Sequence, residues 1–435
     1  MAVTTQFHER TSAPRTRAIV AASTFGTIVE WYDFFIYGTA AATVFGKLFF
    51  PSSSAVTSTL AAFSVFAVGY IARPLGGIIF GHFGDRFGRR SMLVLSIMMM
   101  GLGTFLVGLL PGYDKIGVWA PVLLVLLRLV QAIGLGGEWG GAVLMVAETA
   151  PQNKRGLFGS IVQMGNPIGR LVATGVFALA TTLPQADFLS WGWRLPFLAS
   201  ILLVVIGFFI RIRLEETPAF QRVQATSQTV KIPPWEAITT YRRETLIAIG
   251  LKVTEVAWVN VLSVFAVAYL TKQLGMSQSF ILGAVTLATF VELIVMPATG
   301  WLSDKVGRRP LYLFGTLFGA IFAFPLFWML ETRNPVWVMT AIVVGISVCQ
   351  GTVFALHASF MPELFGTKVR YSGISLGFQI GAAIGGGITP LLAAAVAGWT
   401  NGATWPISAF LILLSMATTI AVLSSREMSN ESIQE

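Results

Sequence analysis

Two carboxylates, Glu30 and Asp33, stand one helical turn apart in a long apolar run, and Tyr37 follows on the same face. Acids so placed repel unless one is protonated or a cation is near, which makes the pair a natural place to take up and release a proton. Cations are set equally deep in other apolar runs: Arg73, Arg128, Arg170 and Lys252, with Arg194 at the edge of a further run. Arg128, Gln131, Leu135 and Glu138 share one helical face, as do Gln163, Asn166, Arg170 and Thr174. Lys252 and Glu255 are i,i+3 neighbours, Gln350 and His357 share a face, and Glu292 is the only acid of its run. Such groups suit proton exchange and the binding of an anion. No Gly-x-x-x-x-Gly-Lys-Ser/Thr phosphate loop, His-Glu-x-x-His motif or cysteine pair accompanies them, so neither an enzyme nor a metal or other cofactor is expected.

The elements that carry these residues are membrane spans. The 435 residues are 55% hydrophobic and only 11% charged, with mean hydropathy +0.74, far from the charge content of a soluble domain. A hydrocarbon core of about 30 Å takes about 20 apolar residues per helix. Stretches of that kind fall near 19–45, 57–81, 91–110, 120–147, 157–180, 195–213, 245–270, 279–302, 311–330, 335–360, 372–398 and 404–424. The first is too long for a signal-peptide core and reads as a retained span. The expected fold is all-α and integral to the membrane, with twelve spans.

The charges between spans give an orientation. Outside the spans only Lys47, Lys115, Lys272 and Arg333 fall on one side; the remaining lysines and arginines of the loops and tails gather on the side of both termini. The positive-inside rule makes that side cytoplasmic and explains the net charge of +9 without nucleic acid. One link, Gly81 to Arg90, recurs as Ser303 to Arg309, and the intervals Glu148 to Arg155 and Glu363 to Arg370 are the same. Two parallel six-helix halves are therefore expected: residues 1–213, a cytoplasmic linker at 214–244, and residues 245–435.

Asp85-Arg86-Phe87-Gly88-Arg89-Arg90, its echo at Asp304 to Arg309, and Arg128 to Gly134 together resemble the major facilitator superfamily. Glu30 to Phe34, Arg73 to Gly77, Gly136 to Gly141 and Trp191 to Phe197 are similar to the metabolite:proton symporter family, whose members include permeases for shikimate, α-ketoglutarate, citrate, and proline with betaine. The resemblance spans nearly the whole chain. It implies a monomeric carrier of the bacterial cytoplasmic (inner) membrane that takes up a small organic acid or zwitterion together with protons. The family usually has an apolar residue in the position of Arg170, so this arginine is either a determinant of substrate or an introduced substitution. The tail after the last span is shorter than the coiled coil of osmosensing members, which argues against that role.

Within this frame Asp33 and Glu30 are expected to carry the proton, with Arg128 and Glu138 completing the coupling set. Arg170 and Lys252 are expected to hold a substrate carboxylate, with Glu255, Tyr37, Gln163, Asn166, Trp258 and Asn260 lining the cavity. The acids Glu30, Asp33, Glu138, Glu255 and Glu292 balance the bases Arg73, Arg128, Arg170, Arg194 and Lys252. One proton on an acid then leaves a positive interior that favours an anion, and each ligand strengthens the binding of the other. Asp85, Arg89, Arg90, Glu148 and Arg155, with Asp304, Arg308, Arg309, Glu363 and Arg370, are expected to form a cytoplasmic gate between the halves. Plainer readings stand beside these: Arg73 anchoring span 2 by an interhelical pair, Arg128 bound to Glu138, Lys252 neutralised by Glu255, Glu292 as a packing partner, and basic loops that serve topology alone. A proton-coupled exporter or a facilitator of small amphipathic molecules is the alternative function. A Gly165-Asn166-Pro167 sequence where drug exporters carry a Gly-Pro pair favours uptake.

Overall fold

The computed structural model describes residues 13–51, 55–213, 216, 233–387, 389, 392, 396, 400 and 403–427, and every regular element among them is a helix. In the first half, α1 (Ala13–Ala40) runs on through a π turn, Ala41–Phe45, and α2 (Ala55–Phe87), α3 (Arg89–Leu109) and α4 (Trp119–Thr149) follow. Next come α5, interrupted into Arg155–Gln163 and Gly165–Ala180, and α6 (Leu195–Ile212). The second half has α7 (Arg242–Asn260, continued through a π turn, Val261–Phe265), α8 (Gln278–Val306) and α9 (Arg308–Glu331). It ends with α10 (Pro335–Val343, a π turn Val344–Gln350, then Gly351–Glu363), α11 (Arg370–Ala382, then Ala383–Gly387) and α12 (Trp405–Ser424). Nine of these are long and apolar enough to cross a membrane among the described residues; the 33-residue α2, the interrupted α5 and the partly described α11 complete the twelve.

The packing repeats. In the first half α1 lies on α5, α3 on α6 and α2 on α4; in the second, α7 lies on α11, α9 on α12 and α8 on α10. The two bundles meet where α2 packs on α11 and α5 on α8. Large apolar side chains such as Ile71, Ile294 and Ile321 point outward, while aromatic and charged side chains are enclosed between helices, as a lipid solvent requires. With no hydrophobic drive between helices, close approach falls to small residues: at Gly76 and Gly136 the backbones of α2 and α4 are so near that a Cβ on either would strike the other's main chain.

The structure shortens the repeated link. Residues 81–87 continue α2, because a helix beyond the apolar core no longer needs apolar side chains, and the turn into α3 is Gly88 alone. Gly88 has φ 108° and ψ 151°, and Gly307 between α8 and α9 has φ 94° and ψ 163°, backbone conformations essentially confined to glycine. In α5, Pro167 has no N–H to offer the carbonyl of Gln163, and the helix breaks at Met164. The described part of the 214–244 linker contains a short helix, Pro233–Thr239, packed on α2, α7 and α11, and α7 already begins at Arg242. The rest of that linker, and much of the end expected for span 11, lie outside the described residues.

Candidate functional site

The buried charges sort into pairs and a remainder. Glu138 of α4 accepts a hydrogen bond of 2.6 Å from Arg211 Nη1 of α6 and one of 2.7 Å from Ser96 Oγ, and it bonds Arg211 Nη2 as well. Arg211 also donates to the carbonyl of Leu93 at 2.5 Å. This corrects two expectations. Glu138 is bound to Arg211 rather than to Arg128, and Arg211, which follows an apolar run and so reads as a loop charge, is only 1% exposed. Arg194 is corrected too: its Nη1 donates at 2.7 Å to the carbonyls of Gly108 and Leu110, which holds the start of α6 to the end of α3 and keeps it out of the interior set.

Arg170 of α5 meets Glu292 of α8 at 2.5 Å, so Glu292 has a partner in the opposite bundle. Lys252 is ion-paired with Glu255 within α7, and Gln350 Nε2 of α10 donates to Glu255 Oε1 at 3.1 Å. The Lys252 ammonium also lies 4.0 Å from the Phe378 ring centroid and 4.8 Å from that of Phe354. Thus the two cations expected to hold a substrate carboxylate each carry an acid already.

Outside these pairs stand Glu30, Asp33 and Arg73, with Arg128 close to Asp33 and to the Tyr37 ring. Neither oxygen of Asp33 has a hydrogen-bond partner among the described residues, and the same holds for Oε2 of Glu30. Arg128 and Arg73 both lie within Coulombic reach of Asp33. Arg128 sits 4.1 Å above the Tyr37 ring. Arg73 makes no hydrogen bond or ion pair among the described residues, so the expected interhelical anchor of α2 is not formed. Its Cζ lies 4.8 Å from the Phe34 ring and 4.6 Å from the Tyr70 ring. Cation–π contacts of about 0.5 to 2 kcal/mol each offset only part of the cost of burying a guanidinium, several kcal/mol.

The other expected lining residues divide. Gln163, freed by the break in α5, accepts from Trp139 Nε1 at 2.9 Å and donates to the carbonyl of Phe354 at 3.1 Å, bridging the bundles. Asn260 donates to the carbonyl of Val256 and shares a side-chain hydrogen bond with Tyr70 of α2. Asn166 is buried. Trp258 instead packs inside the second bundle against Phe322 and Gly319, because the period of α7 turns it away from the other half.

At the basic end the halves are joined by reciprocal contacts. Asp85 of α2 accepts from the Ser372 N–H at 3.0 Å, the Ser372 hydroxyl at 2.8 Å and the Tyr371 N–H at 3.4 Å, all at the start of α11. Asp304 of α8 accepts from the N–H groups of Gly156 and Leu157, at the start of α5, at 2.8 and 2.9 Å. Each carboxylate thus takes the first free donors of a helix in the opposite bundle. Burial pushes the Asp85 carboxyl, beyond the apolar core, up to about 6, against the pull of Arg89 and of the Ser372 and Tyr371 donors. Glu148 is ion-paired with Arg89 at 2.9 Å and accepts from Arg370 of the other half at 3.2 Å. Arg308 lies 3.2 Å from Asp304 and 3.4 Å from Glu363, and Arg155 is within Coulombic reach of Glu363.

Arg90 and Arg309 do not join the halves. Arg90 bonds the Ile212 carbonyl and its N–H reaches Glu216; Arg309 bonds the carbonyls of Val422 and Leu423 and its N–H reaches Glu427. They fasten α3 to the end of α6 and α9 to the end of α12, because the first turn of each helix faces its own bundle.

Sequence reasoning missed the layer beside this cluster. Trp139 stacks on Phe378 with centroids 3.7 Å apart, Tyr371 donates to the Gly137 carbonyl at 2.7 Å, and Gln379 reaches the carbonyls of Leu135 and Gly136 at 3.4 Å. The one available signal is Gly-Gly-Glu-Trp-Gly-Gly, a large ring flanked by glycines that let another helix approach.

The model of the Major Facilitator Superfamily matches residues 23–385 and 256–432. The shikimate transporter of Escherichia coli (strain K12) is 39% identical over 421 residues, covering 95% of this chain and 96% of its own. The inner membrane metabolite transport protein YhjE of the same organism is 37% identical over 441 residues, 99% of both chains. The proline/betaine transporter of that organism is 33% identical over 428 residues, 96% of this chain and 85% of its own. Among solved structures, the proton:xylose symporter XylE bound to 6-bromo-6-deoxy-D-glucose superposes with a TM-score of 0.78 over 97% of this chain and 98% of that chain, at 17% identity, a likeness of fold.

Proposed function

The chain belongs to the Major Facilitator Superfamily and is a multi-pass membrane transporter rather than an enzyme, and from that premise we propose proton-coupled uptake of a small organic acid or related metabolite by alternating access. The observation that carries the proposal is Asp33: a buried carboxylate whose oxygens accept no hydrogen bond among the described residues, beside two buried arginines. The other acids of the interior, Glu138, Glu255 and Glu292, are committed to cations. Asp33, with Glu30 beside it, is the proton site and Arg128 the charge that answers its ionisation. Glu138 is a tie between α4 and α6. Relatives named for shikimate and for proline/betaine, and a fold neighbour titled a proton:xylose symporter, support a small polar cargo moved with protons.

Arg170 and Lys252 take part by exchanging Glu292 and Glu255 for substrate groups, which couples occupancy of the cavity to the bond between α5 and α8. Asp85, Asp304 and the Glu148 and Glu363 clusters form the cytoplasmic gate, dividing two bundles at the 214–244 linker. Both termini face the cytoplasm, the membrane is the bacterial inner membrane, and the working unit is a monomer. The test is uptake of radiolabelled organic acids into proteoliposomes with and without an inward proton gradient. The wild type should accumulate at least one acid only with the gradient. Asp33→Asn should abolish accumulation while retaining exchange of labelled for unlabelled substrate. Gradient-driven uptake that survives in Asp33→Asn sinks the assignment.

A further inference from the structure

Among the described residues, the interior cations Arg211, Lys252 and Arg170 are each bonded to an acid. Arg73 is not: at 4% exposure it has no hydrogen bond and no ion pair, and its Nε and Nη2 are buried without an acceptor. It is nevertheless held in place. Phe34 and Tyr70 form a T-shaped pair with centroids 5.7 Å apart, and the guanidinium occupies the corner between them. The rings engage the cation without using its N–H donors, so the fork is fixed in position while the donors of its enclosed Nε–Nη2 edge stay unsatisfied. The corner lies at the junction of the bundles: Tyr70 bonds Asn260 of α7 and touches Gly386 of α11, and Lys252 of α7 lies within Coulombic reach of both Arg73 and Glu30.

We propose that Arg73 is the anchor for the substrate carboxylate, taken bidentately on the guanidinium edge presented by the Phe34–Tyr70 corner, and that the cargo is a monocarboxylate. The proposal rests on the organic-acid reading above and refines it, moving the carboxylate from Arg170 and Lys252 to Arg73. The charge count sets the valence. With the three bonded pairs neutral, Glu30, Asp33, Arg73 and Arg128 also balance; one proton leaves one positive charge, which one carboxylate cancels. Proton and substrate then enter the same small cluster, so each is bound best when the other is present.

The test compares acids with their methyl esters, which keep the shape and lose the charge. Binding of shikimate, benzoate and lactate, each against its ester, is measured on purified full-length protein by competition and thermal shift. The wild type should prefer an acid over its ester by about 10- to 150-fold, the worth of a charge-assisted hydrogen bond. In Arg73→Gln the preference should collapse toward one while ester binding is unchanged; in Arg170→Gln acid and ester should weaken together and the preference should persist. A merely structural Arg73 would weaken acid and ester alike. Should Arg73→Gln fail to fold, Arg73→Lys serves, since loss of the fork should reduce the acid preference alone. A preference that survives intact in the Arg73 variants, or vanishes in Arg170→Gln instead, overturns the anchor and leaves the transport reading standing. If no acid of the panel binds the wild type, the organic-acid reading itself falls.

Discussion

Glu138 and Arg211 show how an interior charge becomes structural. Each meets the other in two places, and Ser96 and the Leu93 carbonyl satisfy what remains. Removing one member strands a buried charge, so Arg211→Met should destabilise the protein by about 3 to 5 kcal/mol, whereas Glu138→Gln with Arg211→Met should cost much less. Thermal unfolding of the purified variants checks both. Asp85 yields a prediction about pH. Closed against α11 its carboxyl is raised to about 6, while in an opened gate it returns to the ordinary value near 4. The closed form therefore holds its proton more tightly, and lowering the pH from 7 through 6 toward 4 shifts the equilibrium to closure, by on the order of a few kcal/mol. Spin-label distances across the basic end should shorten on acidification, and Asp85→Asn should abolish that response.

At the level of the element, two glycines do different work. Gly88 makes the turn between α2 and α3, and a Cβ there costs about 1 to 3 kcal/mol of strain, so Gly88→Ala should lower thermal stability by about that much. Gly84 makes a surface: a Cβ on it would enter the Tyr371 ring of α11. Gly84→Val should hold the basic ends of the bundles apart, read as loss of cross-linking between cysteines placed on α2 and α11. Gly283→Val, where a Cβ meets nothing within 4 Å, should leave cross-linking unchanged. The π turns carry the repeat into backbone detail. Ala41–Phe45 in α1 and Val261–Phe265 in α7 fall at equivalent helices, and each seats a phenylalanine, Phe45 and Phe265, in the core of its own bundle.

Across the whole molecule the bundles are joined by contacts that obey the same two-fold relation: Asp85 to the start of α11, and Asp304 to the start of α5. Near-equivalent geometry predicts near-equivalent consequences. Asp85→Ala and Asp304→Ala, which remove the acceptors, should each shift the population toward opening at the basic end by a similar amount, and the double variant should shift it further, as measured by spin-label distances between α2 and α11 and between α5 and α8. Labelling of single cysteines near both termini in sealed inverted and right-side-out vesicles should place them on one side, the one that holds Asp85 and Asp304.

Fold class was legible because it is written in local properties. Apolar runs of membrane length, basic residues at alternate ends and one link used twice are each read within a few tens of residues, and physical chemistry leaves such segments little choice but helices in lipid. The recurrence of an acid at 85 and 304 belongs to the same class of signal. Partnership was not legible. Arg211 and Glu138 are separated by 73 residues and Arg170 and Glu292 by 122, and nothing in either neighbourhood says which helix will lie opposite. Only the packing of α4 on α6 and of α5 on α8 decided which charges neutralise one another. By elimination it also left Glu30, Asp33 and Arg73 outside those pairs, with Arg128 beside Asp33.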